Sequence, residues 1–259
     1  MSQLKISGLS ISFGGIVALD GVSFAVEPGE IIGLIGPNGA GKTTIFNCIT
    51  RVYEPDRGSI IFEDRDLLHM SPHQVIQAGI ARTFQNVELF RSMTVLGNLM
   101  VGQHSQLRGN VLECAFRLPR VLSEERLARD RATEILDFMG LLEVRDIPAA
   151  GLPFAIQKRV EMARALVSRP RFLLLDEPAS GLSHEELQGL GDLIRLIRDE
   201  LGVTILLVEH HMALVMSISE RVCVLDFGKK IAEGTPAQVQ SDASVIEAYL
   251  GEGNKNAAS

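Results

Sequence analysis

The run Ile31-Ile32-Gly33-Leu34-Ile35-Gly36-Pro37-Asn38-Gly39-Ala40-Gly41-Lys42-Thr43-Thr44 changes character twice. Ile31 to Ile35 is a short apolar stretch of the kind buried as a strand, and a helical pattern begins at Lys42. Between them, Gly36 to Thr43 fits the pattern G-x-x-x-x-G-K-[ST]. Holding phosphate explains these residue types. Glycines let the backbone turn tightly enough for successive N–H groups to face phosphate oxygens, and the start of the helix adds its positive end. Lys42 is long enough to reach β- and γ-phosphates, and the Thr43 hydroxyl is placed for Mg²⁺. The plain alternative is a glycine-rich turn with a surface lysine; a position between strand and helix favours phosphate. Gly36, Asn38, Gly39, Ala40, Gly41, Lys42, Thr43 and Thr44 are therefore expected to hold ATP.

Downstream, Leu173-Leu174-Leu175-Asp176-Glu177-Pro178 ends an apolar run in two carboxylates. An aspartate at the end of a buried strand can hold Mg²⁺ beside such a loop. The next carboxylate can polarise a water against the terminal phosphate. Taken alone, the pair could equally cap the next helix; beside a phosphate loop the chemical roles win.

Apolar runs and helical segments alternate around these motifs, which predicts an α/β fold with a mostly parallel sheet. Residues 172–175 and 203–208 read as further buried strands, and 58–62 as another. The first twenty-six residues read as an N-terminal antiparallel β part with a turn at Gly14-Gly15. From about Thr94 to Arg169 the pattern is helical and charged, with residues 123–139 amphipathic and 102–119 irregular. One domain is expected over 1–259. Its nucleotide-binding core is 1–85 and 165–235, its inserted helical subdomain is 86–164, and a C-terminal helix and tail fill 236–259. That last helix is expected at 241–250, with 251–259 frayed.

Composition narrows the class. Hydrophobic residues make up 46% and charged residues 22%, too apolar for disorder. A net charge of -7 argues against a general nucleic-acid binder, since nothing offsets phosphate repulsion on average. Cys48, Cys114 and Cys223 are scattered without metal-type spacing, which reads as reduced thiols in a cytoplasmic compartment. The N-terminus lacks the apolar segment of a signal peptide, and no run approaches the ~18 apolar residues of a membrane helix. A membrane connection is expected to come through a partner.

Taken in order, several features resemble an ABC-transporter ATPase over about residues 4–251. They are the phosphate loop, Gln85 in Arg82-Thr83-Phe84-Gln85, the helical insert, a basic helix led by Gln157, Asp176-Glu177, and His210 in Val208-Glu209-His210-His211. The resemblance implies ATP hydrolysis with Mg²⁺ held by Thr43, Gln85 and Asp176. It implies that Gln85 also contacts the attacking water, that Glu177 is the catalytic base, and that His210 holds the γ-phosphate and water, with His211 as the neighbouring alternative. Phe13 is implied to stack on adenine, while core packing stays open for an aromatic there. Such ATPases carry a signature near Leu-Ser-Gly-Gly-Gln that touches the opposite subunit's nucleotide. Here the segment is Leu152-Pro153-Phe154-Ala155-Ile156-Gln157, and Leu152, Pro153, Phe154, Ala155 and Gln157 are its candidate contacts. Pro153 stands in place of the hydroxyl and Ala155 in place of a glycine that permits close backbone approach. Ser180-Gly181-Leu182-Ser183 ends in serine where Asp or Asn is common.

More narrowly, residues 36–44, 82–85, 208–210 and the closing Tyr249-Leu250-Gly251 resemble the ATP-binding subunits of branched-chain amino-acid importers. That implies a second ATP-binding subunit, identical or different, transmembrane permease subunits, and indirectly a periplasmic binding protein. It also implies a peripheral position on the cytoplasmic face of the inner membrane. Val87, Leu89, Phe90 and Met93 suit a groove for a permease helix, with subdomain core as the alternative. The rival classes are the ATPase of a lipopolysaccharide or other exporter, which tends to keep an intact signature, and a soluble non-transport ABC protein, which carries two cassettes or a long coiled coil. One phosphate loop, no heptad array and an altered signature favour the importer.

Overall fold

The computed structural model describes residues 2–103 and 119–256. β1 (Leu4–Phe13) and β2 (Ile16–Val26) form an antiparallel hairpin, and β4 (Arg57–Phe62) and β5 (Arg65–Asp66) extend it to a four-stranded sheet ordered β2-β1-β4-β5. The second sheet has six strands. β3 (Ile31–Ile35), β6 (Ile80–Arg82), β7 (Phe172–Asp176), β8 (Thr204–Val208), β9 (Arg221–Asp226) and β10 (Lys229–Gly234) lie in the order β10-β9-β3-β8-β7-β6. All its neighbours pair in parallel except β10, which returns antiparallel onto β9.

Side-chain alternation along these strands divides the core into two layers. Ile31, Ile35, Leu173, Leu175, Ile205, Leu207, Val222 and Val224 point into one, and Ile32, Leu34, Phe172, Leu174, Leu206, Val208, Cys223 and Leu225 into the other. Burial on both faces is why the strands read as unbroken apolar runs. The second layer contains the antiparallel sheet and α1 (Lys42–Ile49). The first contains α3 (Val95–Gly102), α4 (Pro119–Phe138), α5 (Phe154–Leu166), α6 (His184–Leu201) and α7 (Met212–Ile218). Leu99, Leu136 and Val160, from helices between β6 and β7, thus share one continuous core with the sheet.

Local chemistry sets the helix ends. Ser71 with Gln74 opens α2 (Pro72–Gln77), and Thr235 with Gln238 opens α8 (Pro236–Gln240), each a reciprocal capping box with proline in the first turn. Ser183 and Glu186 do the same for α6, which gives the serine closing Ser180–Ser183 a structural task. The chain end corrects one expectation: α9 (Ala243–Asn256) continues through residues 251–256, which read as frayed tail. Gly251 and Gly253 each cost a helix roughly 1 kcal/mol relative to alanine. Neither removes a donor or clashes as proline does, so the hydrogen-bond ladder runs on. Residues 104–118, with Cys114 and most of the irregular stretch, lie outside the described residues.

Cys48 and Cys223 are free and buried, and burial pushes their thiols up to about 11 and about 12. At pH 8 the thiolate fraction is on the order of one in a thousand or less. Both should stay unmodified when the folded protein is treated with iodoacetamide at pH 8 and react once guanidinium unfolds it. Peptide mass mapping reads the outcome.

Candidate active site

The loops after β3, β6, β7 and β8 all leave the sheet at the carboxyl ends of parallel strands, where such sheets open a crevice to ligands. The loop after β3 folds back tightly against its neighbours. At Gly36 (φ 150°) a Cβ would lie 2.1 Å from the Leu225 carbonyl oxygen, and at Gly41 (φ 104°) 2.6 Å from Leu19 Cδ2 and 2.8 Å from the Ala18 carbonyl oxygen. Only glycine fits either place. Asn38, Gly39 and Thr43 are exposed, Thr44 is partly so, and Ala40 is buried against the strands. Gly41 precedes α1 with no side-chain cap, so the first N–H groups of the helix face the loop mouth. Lys42 is buried, and its Nζ donates to the carbonyls of Gly36 at 2.6 Å and Pro37 at 2.9 Å. Phe13 is half exposed and packs edge-on against Tyr53, with ring centroids 5.0 Å apart, which speaks against a core role.

Three predicted residues meet at one carboxylate. Gln85 Nε2 donates to Glu177 Oε2 at 2.6 Å, and His210 Nε2 lies 2.6 Å from Glu177 Oε1. A carboxylate only accepts, so His210 carries its proton on Nε2 in this contact. Glu177 holds φ 47°, an uncommon conformation for a residue with a side chain, and one that persists where the surroundings over-determine it. Its N–H donates to the Val208 carbonyl at 2.8 Å and its carbonyl accepts from Ser180 at 3.1 Å. Asp176, also predicted, is buried one residue earlier and pairs with Arg82 at 2.7 Å.

Several polar residues without an assigned role in the sequence support these groups. Arg82 bridges Asp176 and Asn47 Oδ1 (2.7 Å) and lies between the rings of Phe46 and Phe84. Lys158 Nζ donates to the Gln85 carbonyl at 2.7 Å, the Phe84 N–H donates to Glu161 at 3.3 Å, and Arg164 donates to the Glu88 carbonyl. Their spacing of three residues puts all three on one face of α5. Burial lowers the Lys158 ammonium and raises the Glu161 carboxyl from their ordinary values, and the neighbouring opposite charges oppose both shifts. Glu209 is buried too, and burial raises it against three backbone N–H groups. The available signal was a charged residue interrupting an apolar strand end or a buried helix face.

Residues 152–157 lead into α5. Pro153 caps the helix, Leu152 is buried before it, and Gln157 Nε2 donates back to the Leu152 carbonyl at 2.8 Å. Phe154 lies over Gly181 in the turn after Glu177, where a Cβ would come within 2.7 Å of its ring. Ala155 lines a cavity of about 590 Å³ between α5 and α6. In Asn86–Met93, Val87 and Leu89 pack inward, whereas Phe90 and Met93 remain largely exposed.

Residues 19–180 match the ABC transporter family, and 229–254 match the branched-chain amino acid ATP-binding cassette transporter family. The high-affinity branched-chain amino acid transport ATP-binding protein BraF of Pseudomonas aeruginosa is 44% identical over 249 residues, covering 96% of this chain and 98% of its own. The corresponding LivG of Escherichia coli is 45% identical over 254 residues, covering 97% and 100%. The crystal structure of the ADP conformation of an ATP-binding cassette of an ABC transporter is similar at a TM-score of 0.85 with 33% identity, covering 97% of this chain and 99% of that one. A nucleotide-free ATP-binding cassette gives 0.84 with 32% identity, covering 96% and 99%. The chain belongs to the ABC transporter family, as one of its ATP-hydrolysing subunits.

Breaking the buried Arg82–Asp176 pair leaves a carboxylate without its partner. Arg82→Met should lower stability by about 3 kcal/mol or more, read by urea unfolding. Adding Asp176→Asn should recover part of that loss, because no charge is then stranded.

Proposed function

We propose that this chain hydrolyses ATP to drive import of branched-chain amino acids, as a peripheral subunit on the cytoplasmic face of the inner membrane. The observation that carries this reading is Glu177 held between Gln85 and His210 at the open end of the sheet. It occurs in a chain similar from end to end to LivG and BraF. No helix among the described residues is long and apolar enough to cross a membrane, so permease subunits supply the pathway. Phe90 and Met93, exposed in the segment that follows Gln85, form the surface on which a permease helix docks.

In this reading Lys42 leaves the carbonyls of Gly36 and Pro37 for the β- and γ-phosphates, while the loop N–H groups and the start of α1 hold the remaining phosphate oxygens. Phe13 stacks on adenine. Thr43, Gln85 and Asp176 offer a hydroxyl, an amide and a single carboxylate, and no group of three or more acidic, histidine or cysteine side chains placed to hold a metal ion occurs among the described residues. That sparse oxygen set fits Mg²⁺, which keeps several waters and is shared with substrate phosphates. When bound there, the ion would neutralise charge on the phosphates. Glu177 takes the proton of the attacking water. Gln85 and His210 already occupy both its oxygens, so one of them yields to that water. His210 then offers its Nε2–H to the γ-phosphate.

Glu177→Gln should bind ATP, turn it over very slowly, and accumulate as a nucleotide-bound dimer by light scattering. A strain lacking the gene should lose high-affinity leucine uptake, which the wild type restores and Glu177→Gln does not. Uptake unchanged by the deletion would assign the subunit to another solute.

The signature half, residues 152–157, serves the nucleotide of a second ATP-binding subunit. With Pro153 for the hydroxyl and Ala155 for the glycine, a dimer of this chain alone has two weak half-sites. A different partner with an intact signature repairs the site that uses this chain's Lys42, Glu177 and His210. The lone protein should therefore hydrolyse ATP poorly, and Ala155→Gly should raise its turnover about tenfold, the value of roughly one phosphate contact. Equal turnover of the two at saturating ATP would show that the signature does not limit the rate.

A further inference from the structure

We propose that Glu209 is a positioning residue that sets the placement of Glu177 and His210 relative to each other; the inference rests on the roles given to those two residues above. Glu209 is 1% exposed and follows the last residue of β8. Its Oε1 accepts the Ala179 N–H at 2.6 Å, and its Oε2 accepts those of His210 at 3.0 Å and His211 at 3.3 Å. One carboxylate thus joins two loops that leave adjacent parallel strands, since Asp176 and Val208 are register partners at the ends of β7 and β8.

Each arm has a separate consequence. The Oε2 arm gathers two successive N–H groups just ahead of α7 and fixes the backbone that carries the His210 ring. The Oε1 arm holds Ala179, two residues beyond Glu177, in a turn whose other end is tied by the Glu177 N–H to the Val208 carbonyl at 2.8 Å. The left-handed backbone at Glu177 needs such ties at both ends to persist. A local turn ahead of α7 explains the first arm and leaves the second unexplained. The geometry asks for a carboxylate in particular. Glutamine has one accepting oxygen, and its NH₂ would face an N–H in one of the two loops. Aspartate is one methylene short and reaches only one of them.

The test is Glu209→Gln in the full chain, with kcat, KM for ATP and nucleotide affinity measured together. A displaced Glu177–His210 pair should lower kcat by about 10- to 100-fold while KM and affinity stay within about twofold. Single-turnover rates of Glu209→Gln, His210→Ala and the double variant complete a cycle. If Glu209 acts through the pair, the double variant loses distinctly less than the product of the two single losses. An unaltered kcat, a fall in kcat matched by a fall in affinity, or losses that simply multiply would overturn the proposal. Should Glu209→Gln not fold, the same measurements on Glu209→Asp decide, with the same loss in kcat expected. If Glu177→Gln itself keeps normal turnover, the reading of the site fails; if it is inactive while Glu209→Gln is normal, this inference alone fails.

Discussion

A parallel sheet buried on both faces offers water little more than its strand ends, and the rest of this molecule follows from that constraint. One face is covered by helices, the other by α1 and the antiparallel sheet. Polar chemistry is left to the loops at the carboxyl ends of β3, β6, β7 and β8. Four short segments, distant in the chain, meet there because the strands that deliver them are neighbours. The rigidity of the site is therefore the rigidity of the core beneath it.

Charges at such an edge are only partly solvated, and those named here are matched within the chain. Lys42 rests on two carbonyls of its own loop, Asp176 on Arg82, and Glu177 on Gln85 and His210. Desolvation makes the matching obligatory, because a buried ion without a partner costs several kcal/mol. Lys158, Glu161 and Arg164 extend the same logic to the backbone from Phe84 to Glu88. The helix that opens at Phe154 thereby also holds the segment carrying Gln85.

Three levels of organisation could be read from residue order alone, for different reasons. The loop between β3 and α1 was legible because tight turning and helix initiation each demand particular residues at fixed spacing. The strands at 31–35, 172–175 and 203–208 were legible because burial on both faces leaves a continuous apolar run. The helix at 123–139 showed its amphipathic period. β9 and β10 show no such run, since Arg221, Lys229, Lys230 and Glu233 interrupt their apolar character. In the structure Arg221 pairs with Glu30 and Glu233, a match that no local pattern announces. The end of α9 lies beyond the sequence expectation because glycine weakens a helix without stopping it.

Residue types and spacing by themselves determined that this chain folds as an α/β protein with a glycine-rich loop between its first parallel strand and helix, and which side chains are candidates for the site. Tertiary structure decided how those side chains are held. Arg82 became the partner of Asp176, Glu209 a tie between two loops, and Phe154 a cover on Gly181 only because the chain brought distant segments together. Sequence patterns report the demands that backbone geometry and solvent make on neighbours in the chain. A buried charge answers to whichever partner the fold places beside it, and that choice exists only in three dimensions.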